Sequence, residues 1–244
     1  MRARLFDVVA GLALLAAANC VVHATTFTYS LNNTLSEDSA SGPSLTAYGG
    51  TLTPSGYYFG PNMGLSLSNA INPDVYSIDI HFYFDSVTVS FDNFQRIIDF
   101  KNRTTDSGLY SSAGTAIVYN VGGSSFSGSG PVLANGQMVD FQLTRSAAGL
   151  FSIFVNGTLA LSFLDSTSLT TFSGPNNVIY FFMDDFQSLA NYPNSPEAGS
   201  GLITFIEVTS TPLPAALPLF ATGLAALGLL GWRRTRKSAA LLAG

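Results

Sequence analysis

The sequence predicts an all-β protein, a two-sheet antiparallel jelly-roll sandwich. Three observations support this prediction. Several short segments alternate apolar and polar residues, turns containing glycine or asparagine separate them, and no stretch between the two ends carries the apolar stripe of an amphipathic helix. Because alternation sends neighbouring side chains to opposite faces of a strand, each segment presents one apolar face to a core.

The clearest predicted strand is the segment SIDIHFYF at residues 77–84. Asp79, His81 and Tyr83 alternate there with four apolar residues, which are Ile78, Ile80, Phe82 and Phe84. After Phe84 the apolar residues move from even to odd positions, at 87, 89 and 91. This change predicts a bulge or tight turn before a second strand over residues 87–91. A third alternating segment covers residues 139–143.

Two further segments complete the predicted sheets. Asn156 and Gly157 separate two β-rich runs and predict a two-residue hairpin turn, because both residue types tolerate positive φ. The run NVIYFFMDDF at residues 177–186 is apolar on both faces, which predicts a strand buried on both sides.

Residues 1–24 predict a signal peptide that forms a short apolar helix. Arg2 and Arg4 precede an apolar run, and small residues at its end favour cleavage by signal peptidase after Ala24. A lipoprotein acylated at Cys20 is the alternative, but the residues before this cysteine match that pattern poorly. Cleavage after Ala24 removes the chain's one cysteine, so neither a disulfide nor a thiolate metal site remains.

The chain ends with a second apolar segment. Residues 213–232 contain twenty uncharged residues, which as a helix would span about 30 Å, the thickness of a bilayer's hydrocarbon core. A basic cluster follows and favours the cytoplasmic side; it consists of Arg233, Arg234, Arg236 and Lys237. We therefore expect a transmembrane helix that leaves the bulk of the chain outside. The alternative, a buried helix of a soluble domain, would have no polar side to face water.

This tail resembles the PEP-CTERM sorting signal of Gram-negative bacteria over residues 211–237, before a short stretch at 238–244. Pro212, Leu213 and Pro214 begin the run PLPAALPLF, in which leucine stands where the commoner form of the motif has glutamate. The resemblance implies recognition by a membrane-embedded exosortase and removal of the tail. The protein would then pass from a membrane-anchored precursor to the cell surface or the extracellular matrix.

Residues 25–210 have the size of one domain with a substantial core. They contain four basic and fourteen acidic residues. The resulting net negative charge repels the phosphate backbone of nucleic acids, so we expect no nucleic-acid partner. Such a surface suits cations or a neutral polysaccharide.

Two segments of this domain resemble LamG-like, concanavalin A-like jelly rolls. They are RIIDFKNRTTDSGLY at residues 96–110 and LTRSAAGLFSIFVNGTLALSF at residues 143–163. The run IYFFMDDFQ and the later GSGLITFIEV are similar to the last strands of such domains. The resemblance covers roughly residues 76–208 and implies a two-sheet fold whose concave face or loops bind sugars, sometimes with calcium.

Asp184 and Asp185 are the candidate metal ligands, because adjacent carboxylates attract a hard cation such as Ca²⁺. Neighbouring side chains on a strand point to opposite faces, so both carboxylates can serve one ion only where a bulge turns one of them. The alternative is a plain acidic strand end.

Tyr57 and Tyr58 are the candidate ligand-binding residues, since sugar sites use aromatic rings beside polar groups. The alternative is a capping loop that packs on the sheet edge. Arg96, Lys101 and Arg103 form a basic group suited to an acidic glycan, but interleaved aspartates favour local pairing.

The sequence predicts no enzyme. The paired carboxylates of related glucanases follow a Glu-x-Asp pattern that is missing here, His81 is the one histidine left after cleavage, and no G-x-S-x-G turn occurs. We therefore expect an exported, non-catalytic module that binds carbohydrate or exopolysaccharide. Two alternatives stay open, a glycan hydrolase or lyase of the same fold and a purely structural protein–protein module.

Overall fold

The computed structural model describes residues 24–88, 93–120, 125–128, 130, 133–184, 197 and 199–210. The predicted signal peptide lies outside the described residues, as does the predicted tail with its sorting motif and arginines. Within the ranges just given, no helix has the length and apolar character needed to cross a bilayer.

The described residues form fifteen strands. In chain order these are β1 (Thr25–Tyr29), β2 (Thr46–Tyr48), β3 (Thr51–Thr53), β4 (Gly56–Phe59), β5 (Gly64–Leu67), β6 (Tyr76–Phe84), β7 (Phe94–Asp99), β8 (Gly108–Ser112), β9 (Ala116–Asn120), β10 (Ser125–Ser127), β11 (Val139–Arg145), β12 (Leu150–Val155), β13 (Thr158–Leu164), β14 (Ile179–Phe181) and β15 (Gly201–Ser210). The one helical element in this described part is a single 3₁₀ turn, Pro175–Asn177.

The strands form two antiparallel sheets, which confirms the predicted all-β sandwich. The larger sheet has the order β13-β12-β11-β6-β15-β4-β3, and β1 also pairs with β15. The smaller sheet has the order β10-β9-β8-β7-β14-β5-β2. Strands that are distant in the chain are neighbours in both sheets, so most of the pairing is non-local.

Alternation fixes which face of the larger sheet is buried. Along β6, buried and partly exposed residues alternate without a break, so Ile78 and Phe82 lie in the core while Asp79 and His81 face outward. β11 repeats this pattern. The alternating segments predicted at residues 77–84 and 139–143 are therefore confirmed as half-buried strands.

Aromatic side chains join the two sheets. Phe182, which follows β14, packs against Phe59 of β4 at a ring-centroid distance of 4.5 Å and against Phe82 of β6 at 4.8 Å. At the other end of the core, Phe151 of β12 contacts Phe100 at 5.9 Å. With no cysteine in this domain, burial of such rings is the main source of stability.

The predicted hairpin at Asn156 and Gly157 is confirmed. Both residues have positive φ, 50° and 73°, and they connect β12 directly to β13. This conformation matches the twist of the flanking strands, which explains the preference for Asn-Gly in such turns. The turn is also tied to β11, because the Asn156 amide donates to the carbonyl of Asp140 at 2.8 Å.

Two strand predictions need correction. The run at residues 177–186 was expected to be one long buried strand, but β14 ends at Phe181 because Phe182 turns into the left-handed region with φ of 60°. The predicted strand at residues 87–91 is not observed at residues 87 and 88, and residues 89–92 lie outside the described part.

Substitution of Gly201 tests the close packing of β15 against β6. A Cβ atom at Gly201 would lie 1.9 Å from the carbonyl oxygen of Tyr83, so Gly201→Ala should lower the free energy of unfolding by about 3 kcal/mol or more. Gly157→Ala is the matched control, since its Cβ meets nothing within 4 Å and only positive φ opposes it. It should cost about 1–2 kcal/mol. Urea unfolding measures both; equal losses would contradict the packing described.

Candidate functional site

The outward face of the larger sheet is the strongest candidate site. Cross-strand partners in a sheet share a face, so the register places outward side chains of β4, β6, β11 and β15 in rows across the strands. We call this surface the polar face. It is defined by Tyr58, Asp79, His81, Tyr83, Asp140, Phe205 and Glu207.

The first row of the polar face is aromatic. Tyr58 of β4 and Tyr83 of β6 both pair with Leu202 of β15, so the two rings flank that leucine. Tyr58 keeps 42% of its surface exposed. Burial and a hydrogen bond to the Tyr58 side chain raise the pKa of the Tyr83 hydroxyl. The two rings and their hydroxyls therefore form one amphipathic platform.

The next two rows combine rings and carboxylates. Phe205 pairs with His81, which pairs with Asp140, and the rings of Phe205 and His81 contact each other in a tilted arrangement with their centroids 4.8 Å apart. Glu207 pairs with Asp79 in the row beyond. Rows two residues apart along a strand are separated by about 7 Å. Aromatic and acidic groups are thus continuous across three neighbouring strands.

A β-bulge in β15 sets the outward direction of Phe205 and Glu207. The register shifts between Ile203 and Phe205, which leaves Thr204 as the extra residue. Ile203 and Ile206 are fully buried, so without this extra residue strict alternation would turn Phe205 and Glu207 toward the core. The Thr204 hydroxyl donates to the carbonyl of His81 at 3.4 Å, which holds the bulge against β6.

Asp79 is the titratable centre of the polar face. Burial raises the pKa of its carboxyl to about 6; the negative charge of Asp140, a hydrogen bond to Asp140 and the charge of Glu207 add to the effect, whereas His81 opposes it. A carboxylate oxygen of Asp79, one of Asp140 and a ring nitrogen of His81 lie within 4.8 Å of one another. The Asp79 carboxyl therefore keeps its proton to a higher pH than an ordinary aspartate does.

Apart from His81, no basic side chain in the described part of the chain lies beside these acids. The structure describes four arginine and lysine residues, and none is on the polar face: Arg96, Lys101 and Arg103 lie in or after β7 of the smaller sheet. Arg145 of β11 is buried on the opposite side and contacts Asp165 at 3.2 Å. The polar face therefore has negative potential.

Of the two predicted ligand-binding tyrosines, the structure leaves one accessible. Tyr57 is only 1% exposed, and its hydroxyl donates to the carbonyls of Gly49 at 2.6 Å and Gly64 at 3.0 Å. The prediction for Tyr57 is wrong, because it is on the core side of β4. Neither tyrosine is in a capping loop. Ligand binding by Tyr58 stays a prediction.

The predicted metal ligand Asp184 is buried in a polar network on the smaller sheet; Asp185 lies outside the described residues. A side-chain oxygen of Asp184 accepts the amide proton of Glu197 at 2.9 Å, and another lies 3.5 Å from Nε of Arg96. Carboxylate oxygens of Asp106, Asp184 and Glu197 lie within 4.8 Å of one another.

Oxygen donors of this kind suit calcium, but Arg96 supplies the positive charge to the same group. Its guanidinium also contacts Asp106 at 3.1 Å and Asp99 at 2.7 Å, and it lies over the ring of Tyr110. Since Arg96 is fully buried, these acids neutralise a charge that burial would otherwise make very unfavourable. Calcium binding at Asp184 and Asp185 stays a prediction.

The basic group predicted at residues 96–103 is engaged locally. Besides the pairs of Arg96, Lys101 donates to the carbonyls of Ser168 and Thr171 at 3.1 and 3.0 Å. Arg103 donates to the carbonyl of Asp184 at 2.5 Å. These contacts favour local pairing over recognition of an acidic glycan.

Sequence reasoning missed most of the polar face. The alternation of β6 exposed Asp79 and His81 as outward residues, which was a usable signal. Nothing local placed Asp140 and Glu207 beside them, since that depends on pairing with β11 and β15.

Several solved structures are similar to this chain. Domain 4 of AbnA, an extracellular arabinanase from Geobacillus stearothermophilus solved with arabinotriose, matches with a TM-score of 0.57 and 14% identity, over 80% of this chain and 97% of that domain. The botulinum neurotoxin C1 binding domain matches with a TM-score of 0.54 and 12% identity, over 79% of this chain. The serotype D domain, solved with N-acetylneuraminic acid, has a TM-score of 0.52 at 12% identity.

The chain spans about half the length of these toxin domains, 50% and 49%. At such low identity the similarity establishes the fold alone. No protein-family pattern matches the chain, and no curated protein sequence is similar to it.

The raised pKa of Asp79 makes stability depend on pH. Its carboxyl has a pKa of about 6 in the folded state and an ordinary value of 3.8, so the folded state binds the proton more tightly and loses stability as pH rises from about 4 to 6. Asp79→Asn should raise the free energy of unfolding at pH 8 by about 1 kcal/mol, after allowance for solvent screening. The gain should vanish near pH 4.

Urea unfolding at several pH values measures this gain. Asp140→Asn is the matched variant, because it removes a neighbouring charge and should move the pKa of Asp79 downward. A gain from Asp79→Asn that is equal at both pH values would contradict the assignment.

Proposed function

We propose that this protein is an exported, non-catalytic module that binds a carbohydrate polymer through the polar face. The observation that carries the proposal is the continuity of exposed and partly exposed rings and hydrogen-bonding groups from Tyr58 to Asp140. The similarity to sandwich domains solved with arabinotriose and N-acetylneuraminic acid supports it.

The chemistry of the polar face fits sugar rings. A sugar has an apolar face that packs on an aromatic ring, while its hydroxyls need hydrogen-bonding groups beside the ring. Tyr58, Tyr83 and Phe205 supply the rings. Asp140 and Glu207 supply acceptors at the next positions of the sheet. The rows lie on a continuous sheet and not in a closed pocket, a geometry suited to a chain of sugars.

Substitution of the two tyrosines tests this site. Tyr58→Ala and Tyr83→Ala should each weaken retention on polysaccharide about tenfold, since truncation of a ring that contacts ligand costs about 1–2 kcal/mol. Tyr48→Ala is the matched control, because Tyr48 is 40% exposed but lies on the edge strand of the smaller sheet. Affinity electrophoresis in gels of the producing bacterium's own polysaccharide measures the change. An equal loss from all three would contradict the site.

Glycan hydrolysis is the second candidate function. Asp79, with a pKa of about 6, could serve as a general acid beside the Asp140 carboxylate. Release of reducing sugar by the wild type, abolished in Asp79→Asn, would favour the enzyme. Retention without release favours the binding module.

Export and sorting are the second part of the proposal. The apolar start of the chain, the Pro212–Leu213–Pro214 motif and the final arginines support secretion, transient membrane anchoring and cleavage by an exosortase. The processed protein would then lie at the cell surface or in the matrix, where its glycan is present.

Intact-mass measurement tests the processing. In a bacterium with the sortase, the mature protein should lack both the first 24 residues and the tail from about residue 212. In a strain without the sortase, the tail should remain and the protein should fractionate with membranes. An identical C-terminus in both strains would contradict the proposal.

A further inference from the structure

The acids of the polar face lack the arginine partners that several other acids of the described domain have. Asp99, Asp106 and Asp184 all contact Arg96, and Asp165 contacts Arg145. By contrast, no arginine or lysine described in the structure pairs with Asp79, Asp140 or Glu207. One side-chain oxygen of Asp79 is buried without a hydrogen-bond partner among the described residues.

Three carboxylates on neighbouring strands therefore face solvent with only His81 to offset them. Bringing such charges together is unfavourable unless a cation reaches them. A small hydrated ion could satisfy the charge of these acids, but it would make no contact with the rings of Tyr58, Tyr83 and Phe205. A ligand that carries both a positive charge and a surface that packs on aromatic rings fits the polar face better.

We propose that the polar face selects a glycan that carries protonated amines, such as a polymer of glucosamine. This inference rests on the function proposed above and names the substrate class of the same site. Sugar rings pack on the side chains of Tyr58, Tyr83 and Phe205, while their ammonium groups donate hydrogen bonds to the acids of the polar face. An ammonium has three donors, and charge-assisted hydrogen bonds to carboxylates are stronger than neutral ones. Uronic-acid polymers carry the opposite charge and are rejected.

Two ligands that differ in one group provide the direct test. The hexasaccharides of glucosamine and of N-acetylglucosamine share a backbone, but acetylation removes the positive charge. Titration calorimetry with the full-length protein in detergent, at about pH 6 and low salt with chelator present, compares them. We expect the glucosamine oligomer to bind at least about tenfold more tightly, the equivalent of one strong charge-assisted contact.

Charge-neutral variants locate the selectivity. Asp140→Asn and Glu207→Gln each remove one negative charge and keep the size of the side chain. Asp140 is exposed and Glu207 is partly exposed. Each substitution should weaken glucosamine binding about three- to tenfold. N-acetylglucosamine binding should weaken by a clearly smaller factor, because the new amide oxygen still accepts a hydrogen bond from a sugar hydroxyl. Asp74→Asn is the matched control, because its side chain is 59% exposed and it precedes the far end of β6. It removes the same charge without touching the polar face.

The pKa of Asp79 gives an independent readout. An ammonium among Asp79, Asp140 and Glu207 should stabilise the ionised carboxylate, so the pKa of Asp79 should fall below about 6 when the glucosamine oligomer binds. His81 on the same strand, Asp140 on β11 and Glu207 on β15 are the other titratable groups that face it. Carboxyl ¹³C NMR follows this titration, and an unchanged or raised pKa would overturn the inference.

The remaining outcomes separate this inference from the proposed function. Equal binding of both oligomers, lost in Tyr58→Ala, would overturn amine selection but leave glycan binding at the polar face intact. An equal effect of Asp74→Asn and Asp140→Asn would assign the preference to overall charge and would also overturn the inference. If neither oligomer nor any neutral polysaccharide bound, both proposals would fail.

Discussion

The register of β6 between β11 and β15 is the constraint on which the domain depends. It places Ile78, Ile80 and Phe82 in the core and turns Asp79 and His81 outward. A shift by one residue would exchange the two sets, burying acids and exposing isoleucines, which is strongly unfavourable. Because the domain has no disulfide, this apolar burial is what holds the polar face in position.

The polar face needs a second constraint, which is the bulge at Thr204. Three residues of β15 are buried in the core, namely Ile203, Ile206 and Val208. Ile203 and Ile206 are three positions apart, which strict alternation does not allow. The extra residue resolves that conflict and leaves Phe205 and Glu207 on the outward side. Packing requirements and the composition of the candidate site are therefore linked through one irregular residue.

The sequence predicted those elements whose signals are local. The strict alternation at residues 77–84 defined β6, and Asn156–Gly157 defined the hairpin, because both patterns act within a few residues. The end of β14 at Phe182 was missed, since a left-handed phenylalanine there depends on tertiary packing against Phe59 and Phe82.

The site was less predictable than the fold for the same reason. Tyr57 and Tyr58 are adjacent and chemically equal, and only the pairing of β4 with β15 decides that Tyr58 faces outward. The grouping of Asp79, Asp140 and Glu207 joins residues from three distant parts of the chain. Pairwise strand register, which periodicity does not contain, was the missing information.

Mapping a bound oligosaccharide onto the sheet tests the central claim most directly. In a crystal structure of the protein with a bound hexasaccharide, we expect sugar rings on Tyr58, Tyr83 and Phe205, with polar groups toward Asp140 and Glu207. A ligand bound at the smaller sheet, or at loops away from β6, would contradict the assignment of the polar face.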